Sequence, residues 1–321
     1  MKINTLLFIP ILLMFSCKNN KQSETSIDFK QDLSNTSLVI LGNIQDAGSP
    51  HIGCEKKCCK NLFNNPDKNR QVISLGLIDG PNNKKYLFEA TPDISRQLKV
   101  LKNIQPVSKN EMPDGIFITH AHIGHYAGLM YLGKEAKNAQ NVTVYAMPKM
   151  SDFFKNNGPW NQLISNHNIR LNNIKNEQTV TLTSNIKVIP IIVPHRDEYS
   201  ETVGFKIIGP NKSALFIPDI DKWEKWKNNI IDEIKQVDYA FLDATFFNEK
   251  EINNRNISEI PHPFIIESME KFKNLTKTEK AKIIFIHFNH TNPVIDPNSE
   301  ESKMIIANGF QVGRLNNSFE L

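Results

Sequence analysis

From residue 36 onward the chain alternates between short apolar runs rich in β-branched residues and longer stretches whose apolar positions recur every three or four residues. The first kind predicts strands: "SLVILG" from 37, "QVISLGLID" from 71, "KYLFEA" from 85, "GIFIT" from 115, "VTVYA" from 142, "IKVIPIIV" from 186, "TVGFKIIG" from 202, "SALFIPD" from 213, "YAFLDA" from 239 and "KIIFIHF" from 282. Between them "DISRQLKVLKN" from 93, "YAGLMYLGKEAK" from 126, "DKWEKWKNNIIDEIKQ" from 221 and "PFIIESMEKFKN" from 263 carry helical spacing, the last opening on a helix-compatible proline. Asp93 stands where an N-cap would. No long low-complexity linker and no repeat of solenoid period interrupts residues 36–321, so the pattern predicts one α/β domain of two layered halves.

Residues 1–35 break this pattern. "MKINTLLFIPILLMFSC" has Lys2, an apolar stretch from about Leu6 to Phe15, then Ser16 and Cys17. That stretch is too short to span a bilayer as a mature helix, and residues 1–16 read as a secretory signal peptide. A small residue directly before a cysteine resembles the bacterial lipobox. Cys17 is then the lipidated first residue, and 17–35, with "KNNKQSETS", is a polar tether. The expectation is a cell-envelope protein held to the membrane through a lipid anchor; the plainer reading is a signal peptide with an incidental cysteine. A formal charge of +4, with Lys and Arg interleaved among Asp, Glu and Asn, argues against nucleic acid as partner and leaves a small-molecule substrate favoured. The oligomeric state is not legible.

The remaining cysteines sit together in "SPHIGCEKKCCKN": Cys54, Cys58 and Cys59, with His51 three residues upstream. An exported chain can join Cys54 to Cys58 or Cys59 in a disulfide, and three thiols with an imidazole can equally hold a structural zinc. Both readings stand. A catalytic thiol is disfavoured, because no Cys-His-Asn arrangement lies nearby.

The densest chemistry is in "FITHAHIGHYAGL", where His120, His122 and His125 fall within six positions. With 9 histidines in 321 residues, a specified three-His pattern arises by chance in roughly 0.7% of such chains, which favours a built site over incidental histidines. In an extended segment the side chains at i and i+2 point the same way, so His120 and His122 can grip one ion, and His125 comes round past Gly124 to the same space. Neutral imidazole is the commonest nitrogen ligand for zinc.

"THAHIGHYAGL" resembles the His-x-His-x-Asp-His signature of the metallo-β-lactamase superfamily. Further likenesses follow in order: His195 in "VPHRDEYSETVGF", Asp219 in "ALFIPDID" and His287 in "IIFIHFNHTNP", with His290 three residues on as the other possible last ligand. The resemblance covers residues 36–321 and implies an αββα sandwich, two mixed sheets flanked by helices, with one or two divalent metal ions, zinc first and iron or manganese next, at the sandwich edge. It implies a first site of His120, His122 and His195, and a second of His125, Asp219 and His287 with Asp219 bridging. "LGNIQDAGSPHIGCEKKCC" and "HFNHTNP" are most like the pyrroloquinoline quinone biosynthesis protein B branch and its phosphodiesterase relatives. "DATFF" with "EIPHPF" resembles the tRNA-processing endonuclease group, which implies Asp243 orienting His262 as a proton donor; the bland reading of His262 is a packing residue at a helix start. His167 belongs to no motif and reads as structural.

The departure is Gly124, where the family carries the aspartate of the second site. The expectation is a gap that water or part of the substrate fills, and a fourth ligand regained by placing Asp there. The function implied is a metallo-hydrolase that uses a metal-activated water on an ester, phosphodiester or lactone. The alternatives are a biosynthetic protein acting oxidatively on a quinone precursor, and a metal-binding protein without turnover. Replacing Cys17 with Ala is expected to abolish lipid labelling and shift the protein out of the membrane fraction or leave it unprocessed. Unchanged labelling with a radioactive or clickable fatty acid refutes the lipobox reading.

Overall fold

In the computed structural model, which describes residues 35–104, 110–196, 198–253 and 255–321, all ten apolar runs form strands. The first sheet holds β1 (Thr36–Gly42), β2 (Ser74–Asp79), β3 (Lys84–Phe88), β4 (Gly115–Phe117), β5 (Val142–Ala146) and β6 (Ile169–Asn173). The second holds β7 (Val180–Thr181), β8 (Lys187–Ile192), β9 (Val203–Ile208), β10 (Ser213–Ile217), β11 (Tyr239–Asp243), β12 (Ile283–Ile286) and β13 (Gln311–Val312), while β14 (Ser318–Glu320) returns to the first. The orders are β14-β1-β2-β3-β4-β5-β6 and β13-β12-β11-β10-β9-β8-β7, each mixing parallel and antiparallel pairs.

The runs are continuously apolar because both faces of each central strand are buried. Along β1, Leu38 and Ile40 join the core between the sheets, whereas Val39 and Leu41 join the core under the outer helices. β12 repeats this, with Ile284 and Ile286 inward and Ile283 and Phe285 outward. At the centre of the sandwich Phe88 stacks on Phe117 at 4.9 Å and meets Phe205 and Phe216 of the other sheet at 5.4 and 6.0 Å. The helix Ile94–Ile104 covers the first sheet through Leu98, Leu101 and Ile104; Ile230–Lys235 and Ile265–Lys271 cover the second through Ile230, Ile234 and Ile265. The architecture is the αββα sandwich.

Two helical stretches are shorter than their spacing suggests. "YAGLMYLGKEAK" folds as one α-helical turn, Ile123–Tyr126, followed by a 3₁₀ segment, Ala127–Leu132, because Gly128 lies against the exit of β3. Its N–H donates to the Ala90 carbonyl at 2.8 Å, and a Cβ there would stand 2.1 Å from the Thr91 carbonyl oxygen. "DKWEKWKNNIIDEIKQ" splits into Trp223–Lys225 and Ile230–Lys235, since the Asn229 side chain accepts from Ile231 N–H and restarts the helix. Asp93 does not cap with its side chain: the carboxylate accepts the Val72 N–H at 2.8 Å. His167 is an exposed turn residue before β6.

The parallel strands of both sheets run their carboxyl ends to one edge, the usual place for ligands in open α/β sheets. The sheets are joined there by Val203 N–H to the Thr119 carbonyl at 3.1 Å, and by Ile44, which bridges Val72 on one side and Phe288 on the other. The segment through residue 34, with the expected signal peptide, Cys17 and most of the tether, lies outside the described residues. Among the described residues no helix is long and apolar enough to cross a membrane. Truncating Phe88 to Ala is expected to cost about 3–5 kcal/mol of unfolding free energy in denaturant melts, against less than about 0.5 for the 55% exposed Phe63. Similar losses at the two positions would contradict this placement of the core.

Candidate metal centre

β4 ends at Phe117, and the next residues carry their imidazoles over the open edge. His120 and His125 are fully buried, while His122 keeps 16% of its side chain exposed. Beyond β8, His195 reaches the same place, and beyond β10 so does Asp219. Donor atoms of His120, His122, His195 and Asp219 all lie within 4.8 Å of one another. Asp219 Oδ2 is their hub: 3.4 Å from His120 Nε2, 3.6 Å from His122 Nδ1, 3.1 Å from His195 Nε2 and 3.9 Å from His125 Nε2.

Four of the rings have a polar neighbour on the far nitrogen. His120 Nδ1 meets Thr119 Oγ1 at 2.8 Å, His195 Nδ1 faces Asp221 Oδ1 at 3.2 Å, and His125 Nδ1 lies 3.4 Å from Glu89 Oε2. Thr245 gives its hydroxyl proton to Asp243 Oδ1 at 2.7 Å, so its oxygen accepts from His287 Nδ1–H at 2.9 Å, leaving Nε2 bare. Such outer partners fix tautomer and orientation in metal-binding histidines. Burial, then the neighbouring His125, holds His120 well below its ordinary pKa and therefore neutral. Burial also pushes His125 down, but the Glu89 carboxylate outweighs it and lifts this ring to about 9.

Whether these residues suit a cation is decided by their unpaired atoms. Among the described residues, the buried Nε2 atoms of His120, His125 and His287 have no hydrogen-bond partner. An unsatisfied buried polar atom costs about 1–3 kcal/mol; those of His120 and His125 lie 3.4 and 3.9 Å from Asp219 Oδ2, and His287 places a donor atom within 4.8 Å of His125 and Asp46, a donor set that divalent cations would satisfy. Imidazole with carboxylate suits zinc, iron or manganese. The residues fit.

His262 comes from the loop before Ile265–Lys271. Its Nδ1 stands 3.0 Å from Asp243 Oδ2 and 3.1 Å from Asp219 Oδ1, and 12% of its side chain remains exposed. Although burial lowers its pKa, Asp243 and then Asp219 raise it well above the ordinary histidine value. Asp243 in turn accepts from Ile220 N–H and Thr245 N–H at 3.2 and 2.9 Å, which anchors it. Two residues here hold left-handed backbone without being glycine, Glu89 and His287, both at strand exits facing the centre.

Gly124 does not leave a gap. Its backbone is not in the left-handed region, and a Cβ built on it would lie 2.4 Å from both Cβ and the carbonyl oxygen of Asp46, which follows β1. The space expected to admit water or substrate is filled by Asp46, so an aspartate at 124 cannot simply regain a ligand. Asp46, His125 and His287 place donor atoms within 4.8 Å of one another. Pattern reading missed Asp46, Glu89, Asp221 and Thr245; only "LGNIQDAG", with a carboxylate just past a strand end, carried a signal.

The cysteines form a separate cluster. Their sulfurs are unbonded, with Cys54 and Cys59 each 3.9 Å from Cys58, so no disulfide joins them. The imidazole beside them is His290, whose Nδ1 is 3.6 Å from Cys58 Sγ and 3.3 Å from Cys59 Sγ. His51, the neighbour in sequence, instead directs Nδ1–H to the Ile52 carbonyl at 2.8 Å and packs its ring on His290 at 4.6 Å. The chain's return after β12 delivers the long-range donor and thereby separates His287 from His290: the former faces the histidine centre, the latter the thiols. Three thiols and one imidazole match a tetrahedral structural zinc site.

With the geometry in place, comparisons with known proteins converge. Residues 84–288 match the Beta-lactamase superfamily domain. Coenzyme PQQ synthesis protein B of Methylorubrum extorquens (strain PA1) is 22% identical over 295 residues, 86% of this chain and 96% of that protein. The crystal structure of zinc-bound PqqB from Methylobacterium extorquens is similar with a TM-score of 0.71 at 19% identity, covering 89% of this chain and 100% of that one. A diphosphatase from the PhnP family gives 0.61 at 21% identity, over 89% and 97%. At these identities the structural likenesses establish the fold.

Replacing Cys59 or His290 with Ala is expected to remove one equivalent of tightly bound zinc and to lower the melting temperature, whereas His51→Ala leaves the zinc count unchanged. Elemental analysis after gel filtration measures this. Zinc retained in both Cys59→Ala and His290→Ala, or lost in His51→Ala, rejects the four-donor set.

Proposed function

The chain belongs to the metallo-β-lactamase superfamily, and from that premise we propose that it is a metal-dependent hydrolase of an ester, phosphodiester or lactone. The observation carrying this reading is the His262–Asp243 pair, held 3.0 Å apart with Asp219 3.1 Å from the same imidazole nitrogen. A centre built only to store metal has no use for a protonatable, partly exposed side chain at that position.

His120, His122 and His195 would hold one cation and His125 and His287 a second, with Asp219 between them. When bound, such ions lower the pKa of a water towards neutrality and polarise the substrate oxygen. The protein's own part is positioning and proton transfer. Thr119, Asp221, Glu89 and Thr245 lock the imidazoles so that the ligand nitrogens converge without rearrangement. Asp243 holds His262 through Nδ1, leaving Nε2 to pass a proton to the departing oxygen. Exposure at His122 and His262 marks the side from which substrate enters. The envelope location through Cys17 is part of the same proposal and rests on the N-terminal sequence.

A second reading is supported by the match to Coenzyme PQQ synthesis protein B, which spans nearly the whole of that protein: oxidative action on a quinone precursor. The two readings differ in what His262 does. For a hydrolase, His262→Ala keeps its metal but slows substrates with poor leaving groups by about 10²-fold or more, while activated nitrophenyl analogues lose less than about tenfold. Equal slowing of both classes, measured as kcat/KM on zinc- or manganese-loaded protein, rules out the proton-donor role. Absence of turnover on every ester, phosphodiester and lactone offered removes the hydrolase reading.

A further inference from the structure

We propose that Asp46 is the carboxylate ligand of the second metal position, transferred from the histidine-rich segment to the loop after β1, and that Gly124 is the residue that makes room for it. The inference deepens the hydrolase reading, on which it rests for the presence of a metal pair.

The loop is held in place from both sides. Phe288 N–H donates to the Asn43 carbonyl and Gln45 N–H to the Phe288 carbonyl, each at 2.8 Å, so residues 43–45 run beside Phe288 as an added strand rung. Phe288 follows His287 directly, and Asp46 follows Gln45; the pairing therefore brings Asp46 to His287. On the other side Asp46 abuts Gly124, the residue before His125, so closely that any Cβ there would collide with its Cβ and backbone. Asp46 thus comes within 4.8 Å of His125 and His287, two of the three imidazoles whose buried Nε2 atoms have no hydrogen-bond partner among the described residues. Gln45 Nε2 donates to Asp46 Oδ1. That leaves Oδ2 for a cation.

This accounts for two anomalies together. A glycine at 124 has no conformational reason, since its φ is ordinary, and the three atoms nearest to a Cβ built there all belong to Asp46. An aspartate on an otherwise apolar and amide-bearing strand exit has, beyond the Gln45 amide, the imidazole pair of His125 and His287 within 4.8 Å. With Asp46 the second position has His125, His287, Asp46 and the shared Asp219, a donor set as complete as the first.

The test counts zinc bound at matched, limiting free zinc by equilibrium dialysis of the full chain, with folding checked by thermal melts; the thiolate cluster contributes equally to every variant. Wild type is expected to hold two equivalents at the histidine centre. Asp46→Asn, nearly isosteric, is expected to weaken the second by at least about 100-fold, the upper end of what losing even an outer partner costs. Gly124→Asp alone is expected to lower the melting temperature without binding more zinc. An Asp46→Asn protein that binds like wild type, a wild type with a single equivalent at this centre, or a Gly124→Asp protein that melts like wild type and binds more zinc overturns the proposal. Failure of the hydrolase reading looks different: zinc counts follow this order, but no ester, phosphodiester or lactone is turned over.

Discussion

Asp219 is buried among imidazoles, and the rest of the edge is arranged around that fact. A carboxylate taken out of water is costly unless paired. Four histidine nitrogens lie within 4 Å of its Oδ2 and a fifth faces Oδ1, so the charge is met from every side. Burial by itself raises the Asp219 pKa, yet His262 and the adjoining imidazoles of His120, His122 and His195 hold it well below the usual carboxylate value. The aspartate stays ionised, and the imidazoles are kept in a geometry that suits cations.

Orienting His120, His125, His195 and His287 at this edge takes a second layer of polar groups, and the sandwich supplies it from strand ends. Thr119, Asp221, Glu89 and Thr245 each follow a different strand and each takes the outward nitrogen of one ring. Glu89 and His287 accept left-handed backbone to do so, which costs on the order of 1–3 kcal/mol each and persists because the packed sheets beneath over-determine their position. The three apolar cores provide that rigidity.

The segment from Asn43 to Cys59 joins the two clusters. Its start is hydrogen-bonded to Phe288 and carries Asp46 to His287; its end presents three thiols to His290. Arg70 ties the middle, donating to Ser49 Oγ at 2.9 Å and the Cys58 carbonyl at 3.3 Å. His287 and His290 are three residues apart and serve different clusters because the Asn289–Asn292 turn, closed at 2.8 Å, sends successive rings to opposite sides.

Strands buried on both faces, and ligands that are neighbours in the chain, are local properties. That is why the ten central strands, the fold class, and the run His120, His122, His125 could be read from the sequence, with His195, Asp219, Asp243, His262 and His287 following from family resemblance. The edge strands β6, β7, β13 and β14 left no such mark, being short or polar where one side faces solvent. What tertiary structure alone decided was which strand exits meet. Asp46 reaches His125 and His287, Glu89 reaches His125, and His290 displaces His51 beside the thiols, only because β1, β3, β4 and β12 end at one edge and the loop after β1 pairs with the residue after His287. Those contacts join positions tens to hundreds of residues apart. No periodicity or spacing records them, since each depends on sheet order and not on the residues alongside it.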